Sequence, residues 1–223
     1  MIEFSMLCLN RLGFKEKLDE IVPLVDSLHC DIMDGKFVNN TAFTPSEINN
    51  MSNELPKHVH IMSREPTAYI KQIDTAETIS FHFEAVDRHH EIIELIKNSG
   101  FKAGLAVNPE TSIDKIAYLL KSLDRVLLMA VKPGFSAQKY INTISTKISQ
   151  LRDLSQEIDI AIDGGMNEET MKEVTSLGAD SCVVCSVILK APEYGVKIKS
   201  LKDSCVLGLK KRIRTKYLHN KKP

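Results

Sequence analysis

The 223-residue chain has no excess of charge: 29 lysines and arginines offset 29 aspartates and glutamates. With no net field of either sign, its body is not built for non-specific binding to nucleic acid or to an anionic membrane. It has no uninterrupted apolar run approaching the roughly 18 residues of a membrane-spanning helix. Met1-Ile2-Glu3-Phe4 carries no basic region ahead of an apolar one, so the N-terminus does not read as a signal peptide. The five cysteines are scattered and odd in number, which points to reduced thiols in a cytoplasmic protein rather than a disulfide framework. Cys182 and Cys185 form a C-x-x-C without a second pair. They lie in an apolar run that reads as a strand, where residues three apart face opposite sides, so neither zinc nor redox chemistry is assigned to them. Charge of one sign gathers only in Lys210-Lys211-Arg212-Ile213-Arg214-Thr215-Lys216 and the residues after His219, read as a solvated helix end and frayed tail.

Nor is there a long linker or a break in composition. Apolar β-rich runs predict strands over 2–7, 27–31, 58–62, 78–83, 102–107, 125–131, 158–163 and 180–186. Between them, 3.6-residue periodicity and end signals predict helices over 14–25, from Pro45, from Pro66, over 87–98 and 112–122, one ending near Gln156, and over 168–176 and 196–212. Strands alternating with helices mark a parallel α/β fold. The repeat number and total length favour a (β/α)₈ barrel over a doubly wound open sheet, with residues 1–223 as a single domain and a basic tail from about 210.

The stretch Ser27-Leu28-His29-Cys30-Asp31-Ile32-Met33-Asp34-Gly35 is the centre of the chain's chemistry. On a strand, His29 and Asp31 share a face, which makes either half of a nitrogen/oxygen metal site or one satisfied histidine–carboxylate pair. In a barrel the strand ends and the loops after them form the reactive face. There the third strand brings His58 and His60, and the seventh ends in Asp163-Gly164-Gly165, a carboxylate followed by residues that let backbone N–H groups approach an anion. His29, Asp31, His60 and Asp163 together make a four-ligand set for Zn²⁺, Fe²⁺, Mn²⁺ or Co²⁺. Taken singly, an inward histidine is more often a hydrogen-bonded core group and a strand-terminal aspartate more often a helix N-cap, so the case rests on the four converging. Met33, Met62 and Met129 also fall at strand ends, where core packing is their ordinary role.

Several segments occur here in the order seen in ribulose-phosphate 3-epimerases. They are His29-Cys30-Asp31-Ile32-Met33-Asp34-Gly35-Lys36-Phe37-Val38, Val59-His60-Ile61-Met62, Phe81-His82-Phe83-Glu84-Ala85, Gly104-Leu105-Ala106-Val107-Asn108-Pro109, Val131-Lys132-Pro133-Gly134-Phe135 and Ile162-Asp163-Gly164-Gly165. The chain resembles that family from Ser5 to about Leu189. The resemblance implies a TIM barrel of the ribulose-phosphate-binding type and inversion of C3 of a ketose phosphate, D-ribulose 5-phosphate to D-xylulose 5-phosphate. It implies one divalent metal ion per subunit, a homo-oligomer, Asp31 and Asp163 as the proton-transferring pair, and His29 and His60 completing the metal sphere. Ser5 matches a serine that contacts substrate, and Met33, Met62 and Met129 match methionines that shield the intermediate from water. A cation beside each carboxylate depresses both pKa values, so one gains its proton only during turnover. His82 and Glu84 share a face without a specific role.

The phosphate end departs from the family. Ser136-Ala137 stands where glycines usually follow Pro-Gly-Phe, and Cys185-Ser186 where Gly-Ser or Gly-Thr is usual. Gly134, Gly164, Gly165 and Ser186 remain as candidate phosphate contacts. Lys36 and Asn39 replace a usual histidine and proline. Ser5-Met6-Leu7-Cys8 and Asn108-Pro109-Glu110-Thr111 resemble the allulose-6-phosphate 3-epimerase branch, and a sugar-phosphate-binding barrel with weak or no catalysis is a further alternative. The D-x-K-x-x-D pattern of the decarboxylase and hexulose-phosphate synthase group is broken by Asn39.

Overall fold

The computed structural model describes residues 1–9, 14–51, 54–135 and 138–219. Eight strands among them, all parallel, close a barrel in chain order: β1 (Ile2–Ser5), β2 (Ser27–Met33), β3 (Lys57–Met62), β4 (Thr78–His82), β5 (Lys102–Val107), β6 (Arg125–Met129), β7 (Asp159–Asp163) and β8 (Ser181–Val184). The seam is the β1–β8 pair, with Glu3 opposite Val183. The α-helices are α1 (Phe14–Ile21), α2 (Pro45–Asn49), α3 (Pro66–Ile70), α4 (His89–Asn98), α5 (Ile144–Leu154), α6 (Glu168–Leu177), α7 (Ser186–Leu189) and α8 (Tyr194–His219).

Outward strand residues such as Ile61, Phe81, Leu105, Leu128 and Ile160 are fully buried against the helices and form the main core. Inside the barrel the β5–β8 side is packed by Ala106, Leu127, Met129, Ala161 and Val183. The remaining interior is polar, holding Glu3, His29, His58, Ser80, Arg125 and Ser181, all buried.

Several boundaries differ from expectation for local reasons. β1 stops at Ser5 because the Ser5 hydroxyl accepts the Leu7 N–H at 3.3 Å and caps a 3₁₀ turn over Met6–Cys8. β2 runs on to Met33, paired throughout with β3. The segment Ile113–Ser122 is a 3₁₀ helix: its buried Ile113, Ile116 and Leu119 recur every third residue, the period of that helix. α8 extends to His219, past the expected end at 212, and residues 220–223 of the tail lie outside the described residues.

One expectation is corrected outright. Cys8 and Cys185 are joined as a disulfide with their Cα atoms 6.2 Å apart, while Cys30, Cys182 and Cys205 are free and buried. The scatter of cysteines along the sequence hid this pair because closure of the barrel makes neighbours of the β1 and β8 ends. The reading of all five as reduced thiols, and the compartment inferred from it, loses that support.

Candidate metal and catalytic site

The pleat of β2 aims His29, Asp31 and Met33 into the barrel, and parallel register sets them opposite His58, His60 and Met62 of β3. Asp163, the last residue of β7, enters opposite Met129 on one side and Val183 on the other. One ligand atom from each of His29, Asp31, His60 and Asp163 lies within 4.8 Å of the rest. His60 Nδ1 is 3.1 Å from Asp31 Oδ1 and 3.9 Å from Asp163 Oδ2. His29 Nε2 is 3.3 Å from Asp31 Oδ1 and 3.8 Å from Asp163 Oδ2. Yet His29 Nε2 is buried without a hydrogen-bond partner among the described residues.

This donor set fits a divalent cation. Two imidazole nitrogens and two carboxylates converge, so positive charge belongs between them, as protons or as a metal of the kind that N₂O₂ sites bind. Behind His60, its Nε2 is 2.9 Å from His82 Nε2, and His82 Nδ1 is 3.3 Å from Glu84 Oε2. Glu84 is anchored by the Asn108 N–H at 2.9 Å and the Thr111 hydroxyl at 2.5 Å. This chain of partners orients the His60 ring from its far side, as carboxylate-backed imidazole ligands require.

The protein's own charges set the protonation pattern. Burial penalises the His29 imidazolium, but Asp31, Glu3 and Asp163 outweigh it and push His29 up to about 10. Burial likewise opposes ionisation of Asp31, yet His29 and His60 hold its carboxyl well below the ordinary range. Asp163 moves the other way: burial raises it, and the Asp31 and Glu3 carboxylates add to the rise. His60 is lowered, and His58 is lowered to about 3, in both cases by burial first. Without a metal, the protein's own charges thus drive these two neighbouring carboxyls in opposite directions.

The cluster floors a cavity at the C-terminal end of the barrel, lined by Ser5, Asp31, Met33, Met62, Met129, Gly134, Asp163, Gly164, Gly165 and Ser186 together with Leu7, Cys8, Lys132 and Cys185. His29 and His60 sit just beneath it, fully buried. Ser5 Oγ donates to Asp31 Oδ2 at 3.3 Å. Met33 and Met62 pack with Val38, Phe37 and Leu7 as an apolar rim, and Met129 belongs to the inner core. Gly164 and Gly165 carry φ of +108° and +67°. A Cβ on Gly165 would lie 2.8 Å from Tyr140 Cα and one on Gly164 2.4 Å from a Val131 methyl, so this turn accepts only glycine. Ser136 and Ala137 lie outside the described residues.

The profile of the ribulose-phosphate 3-epimerase family matches residues 1–189. The ribulose-phosphate 3-epimerase of Methanocaldococcus jannaschii is 35% identical over 202 residues, covering 88% of this chain and 86% of that one. That of Aquifex aeolicus is 38% identical over 186 residues, covering 80% and 84%. The chain belongs to the ribulose-phosphate 3-epimerase family. It is accordingly an epimerase on a TIM barrel. Among solved structures, 3-hexulose-6-phosphate synthase of Salmonella typhimurium superposes with a TM-score of 0.69 at 15% identity, covering 93% of this chain and 99% of that one, a likeness of fold. No helix among the described residues is long and apolar enough to cross a membrane.

The residues singled out from the sequence of this family member thus gather in one place, His58 excepted, which lies a layer below with Glu3. Three contributors went unremarked. Asn40 Nδ2 donates to the Gly134 carbonyl at 2.7 Å and ties the loop after β2 across the cavity. Glu3 and Arg125 lie under the cluster, and a charge within an otherwise apolar strand was the available signal for both.

Proposed function

We propose that this protein interconverts D-ribulose 5-phosphate and D-xylulose 5-phosphate by proton transfer at C3. The observation that carries the reading is the convergence of His29, Asp31, His60 and Asp163 within 4.8 Å at the floor of the cavity. Asp31 and Asp163 serve as the two acid/base groups, one taking the C3 proton and the other returning one to the opposite face of the planar intermediate. The two aspartates exchange these roles between the two directions, and since a cation beside both carboxylates draws their pKa values down, each gains its proton only during turnover. A divalent cation held by His29, Asp31, His60 and Asp163 would supply Lewis-acid stabilisation of the negative charge that builds on the ketone oxygen. Ser5 orients Asp31 through its hydroxyl. Met33, Met62 and Met129 keep water from the reacting carbon. The N–H groups around Gly134, Gly164, Gly165 and Ser186 receive the phosphate.

The test is to follow C3 proton exchange and product formation by NMR in D₂O, with metal-supplied protein and either D-ribulose 5-phosphate or D-allulose 6-phosphate. Deuterium uptake with appearance of xylulose 5-phosphate is the expected result. Faster turnover of allulose 6-phosphate would reassign the substrate and keep the chemistry. No exchange with either ketose, metal being bound, would refute the reaction.

A further inference from the structure

Beneath the four converging side chains, the barrel holds a second set of charges that proton transfer at C3 does not use. Glu3 of β1 is fully buried. Its Oε1 accepts from Arg125 Nη1 at 2.6 Å and from Ser181 Oγ at 2.9 Å. Its Oε2 lies 2.8 Å from His58 Nδ1 and 3.5 Å from His29 Nδ1. Glu3, His29 and His58 are close enough to form a metal cluster of their own. That role is already filled, because the Arg125 guanidinium bonds Glu3 and lies 3.1 Å from His58 Nδ1, supplying the positive charge.

A carboxylate in a barrel interior that normally packs branched apolar residues needs another reason. The His29 ring gives one. Its Nε2 faces Asp31 and Asp163, and its Nδ1 faces His58 Nδ1 at 3.2 Å and Glu3 Oε2 at 3.5 Å, of which the carboxylate is the anionic acceptor. An imidazole whose Nδ1–H is taken by a carboxylate has a fixed ring orientation and presents the Nε2 lone pair outward, the arrangement that strengthens histidine as a metal ligand. We propose that Glu3 is a positioning residue, the carboxylate that orients His29 for metal binding, with Arg125 and Ser181 holding Glu3 in place. The proposal rests on the reading of His29, Asp31, His60 and Asp163 as a metal site.

The test is metal affinity of the full chain, independent of turnover. Zn²⁺ binding is measured by competition with a chromophoric chelator, and the visible absorption of bound Co²⁺ reports the ligand field. Glu3→Gln keeps the size and an acceptor for Arg125, but brings an amide where His29 needs a carboxylate. It should weaken Zn²⁺ binding by about 10–100-fold and shift the Co²⁺ bands. Ser181→Ala removes one support of Glu3 without touching the carboxylate and should weaken Zn²⁺ binding in the same direction but by less than Glu3→Gln does. Unchanged affinity and spectrum in a folded Glu3→Gln variant would reduce Glu3 to a counter-ion for Arg125 and overturn the proposal. Should that variant fail to fold, Glu3→Asp keeps the charge for Arg125 while drawing it back from His29, and its unchanged affinity would overturn the proposal equally. A parent protein that binds neither metal would overturn the metal site itself, and this proposal with it.

Discussion

Exchanging either aspartate for asparagine isolates the proton chemistry from the shape of the site. Asparagine fills the same volume but neither accepts nor returns a proton at this pH range, and it is a poor ligand beside two imidazoles. Positioned proton transfer alone is worth about 10²–10⁴ in rate, so each variant should lose ~3–5 kcal/mol of transition-state stabilisation. The two losses should differ in kind. Asp31 is 2% exposed, with Ser5 Oγ at 3.3 Å, His60 Nδ1 at 3.1 Å and His29 Nε2 at 3.3 Å, whereas the histidine nitrogens nearest Asp163 stand at 3.8 and 3.9 Å. Asp31→Asn should therefore also lose about 1.5–3 kcal/mol of folding stability, the worth of a buried charged hydrogen bond, and Asp163→Asn much less. The assay is NMR in D₂O, run from ribulose 5-phosphate and from xylulose 5-phosphate. Interconversion should fall by at least about 10²-fold in both variants. Any exchange that survives should appear from one epimer only, and from opposite epimers in the two variants. Interconversion within about tenfold of the parent, or residual exchange from the same epimer in both, would refute the assignment of one carboxylate to each face.

Other consequences are open to simpler measurements. His82 is pushed down to about 4 by burial, with the His60 ring adding. The unfolded chain, with an ordinary histidine near ~6.5, therefore takes up this proton first, and stability present above that pH drains as pH falls toward about 4. Between about pH 7 and about pH 5 the loss is ~2 kcal/mol, so metal-free His82→Gln should lose that much less stability than the metal-free parent in urea titrations at the two pH values, and parallel losses would contradict the shift. Gly165→Ala combines φ +67° with a Cβ 2.8–2.9 Å from Tyr140 backbone atoms. It should cost about 2–4 kcal/mol, seen as a fall of ~4–16 °C in Tm, and an unchanged Tm would show that the turn relaxes. Iodoacetamide should leave Cys8 unmodified until a reductant is added, then label it ahead of the fully buried Cys30 and Cys182, as peptide mass spectrometry would read; labelling of Cys8 without reductant would contradict the Cys8–Cys185 bond.

The alternation of strands and helices was legible because each strand of a parallel barrel is buried on both faces and reads as a short apolar run. β5 falls over 102–107 as expected for that reason. The metal-binding candidates were legible because polar residues at the ends of such runs are out of place. Sequence periodicity does not distinguish the lumen of the barrel from its helix-covered outside, which is why Glu3 drew no notice, whereas His60 was set apart from His58 by lying nearer the C-terminal end of its strand. The 3₁₀ course of Ile113–Ser122 differs from an α-helix only in a spacing of three against three or four. The Cys8–Cys185 pair and the Asn40 contact to Gly134 depend on distant segments meeting, and no local pattern announces such meetings.

The bond between Cys8 and Cys185, at a sequence separation of 177, makes a covalent cycle of the chain between them. β2 to β8 lie wholly on that cycle, with β1 hanging from one end and α7 and α8 from the other. Closing a loop of this length removes about 5 kcal/mol of freedom from the unfolded chain in the entropic account of cross-links. It also changes what a cut means. Cleavage in any one loop between β2 and β7 opens the cycle without dividing the molecule, so both halves of the barrel stay at high local concentration and re-pair their strands until the sulfurs part.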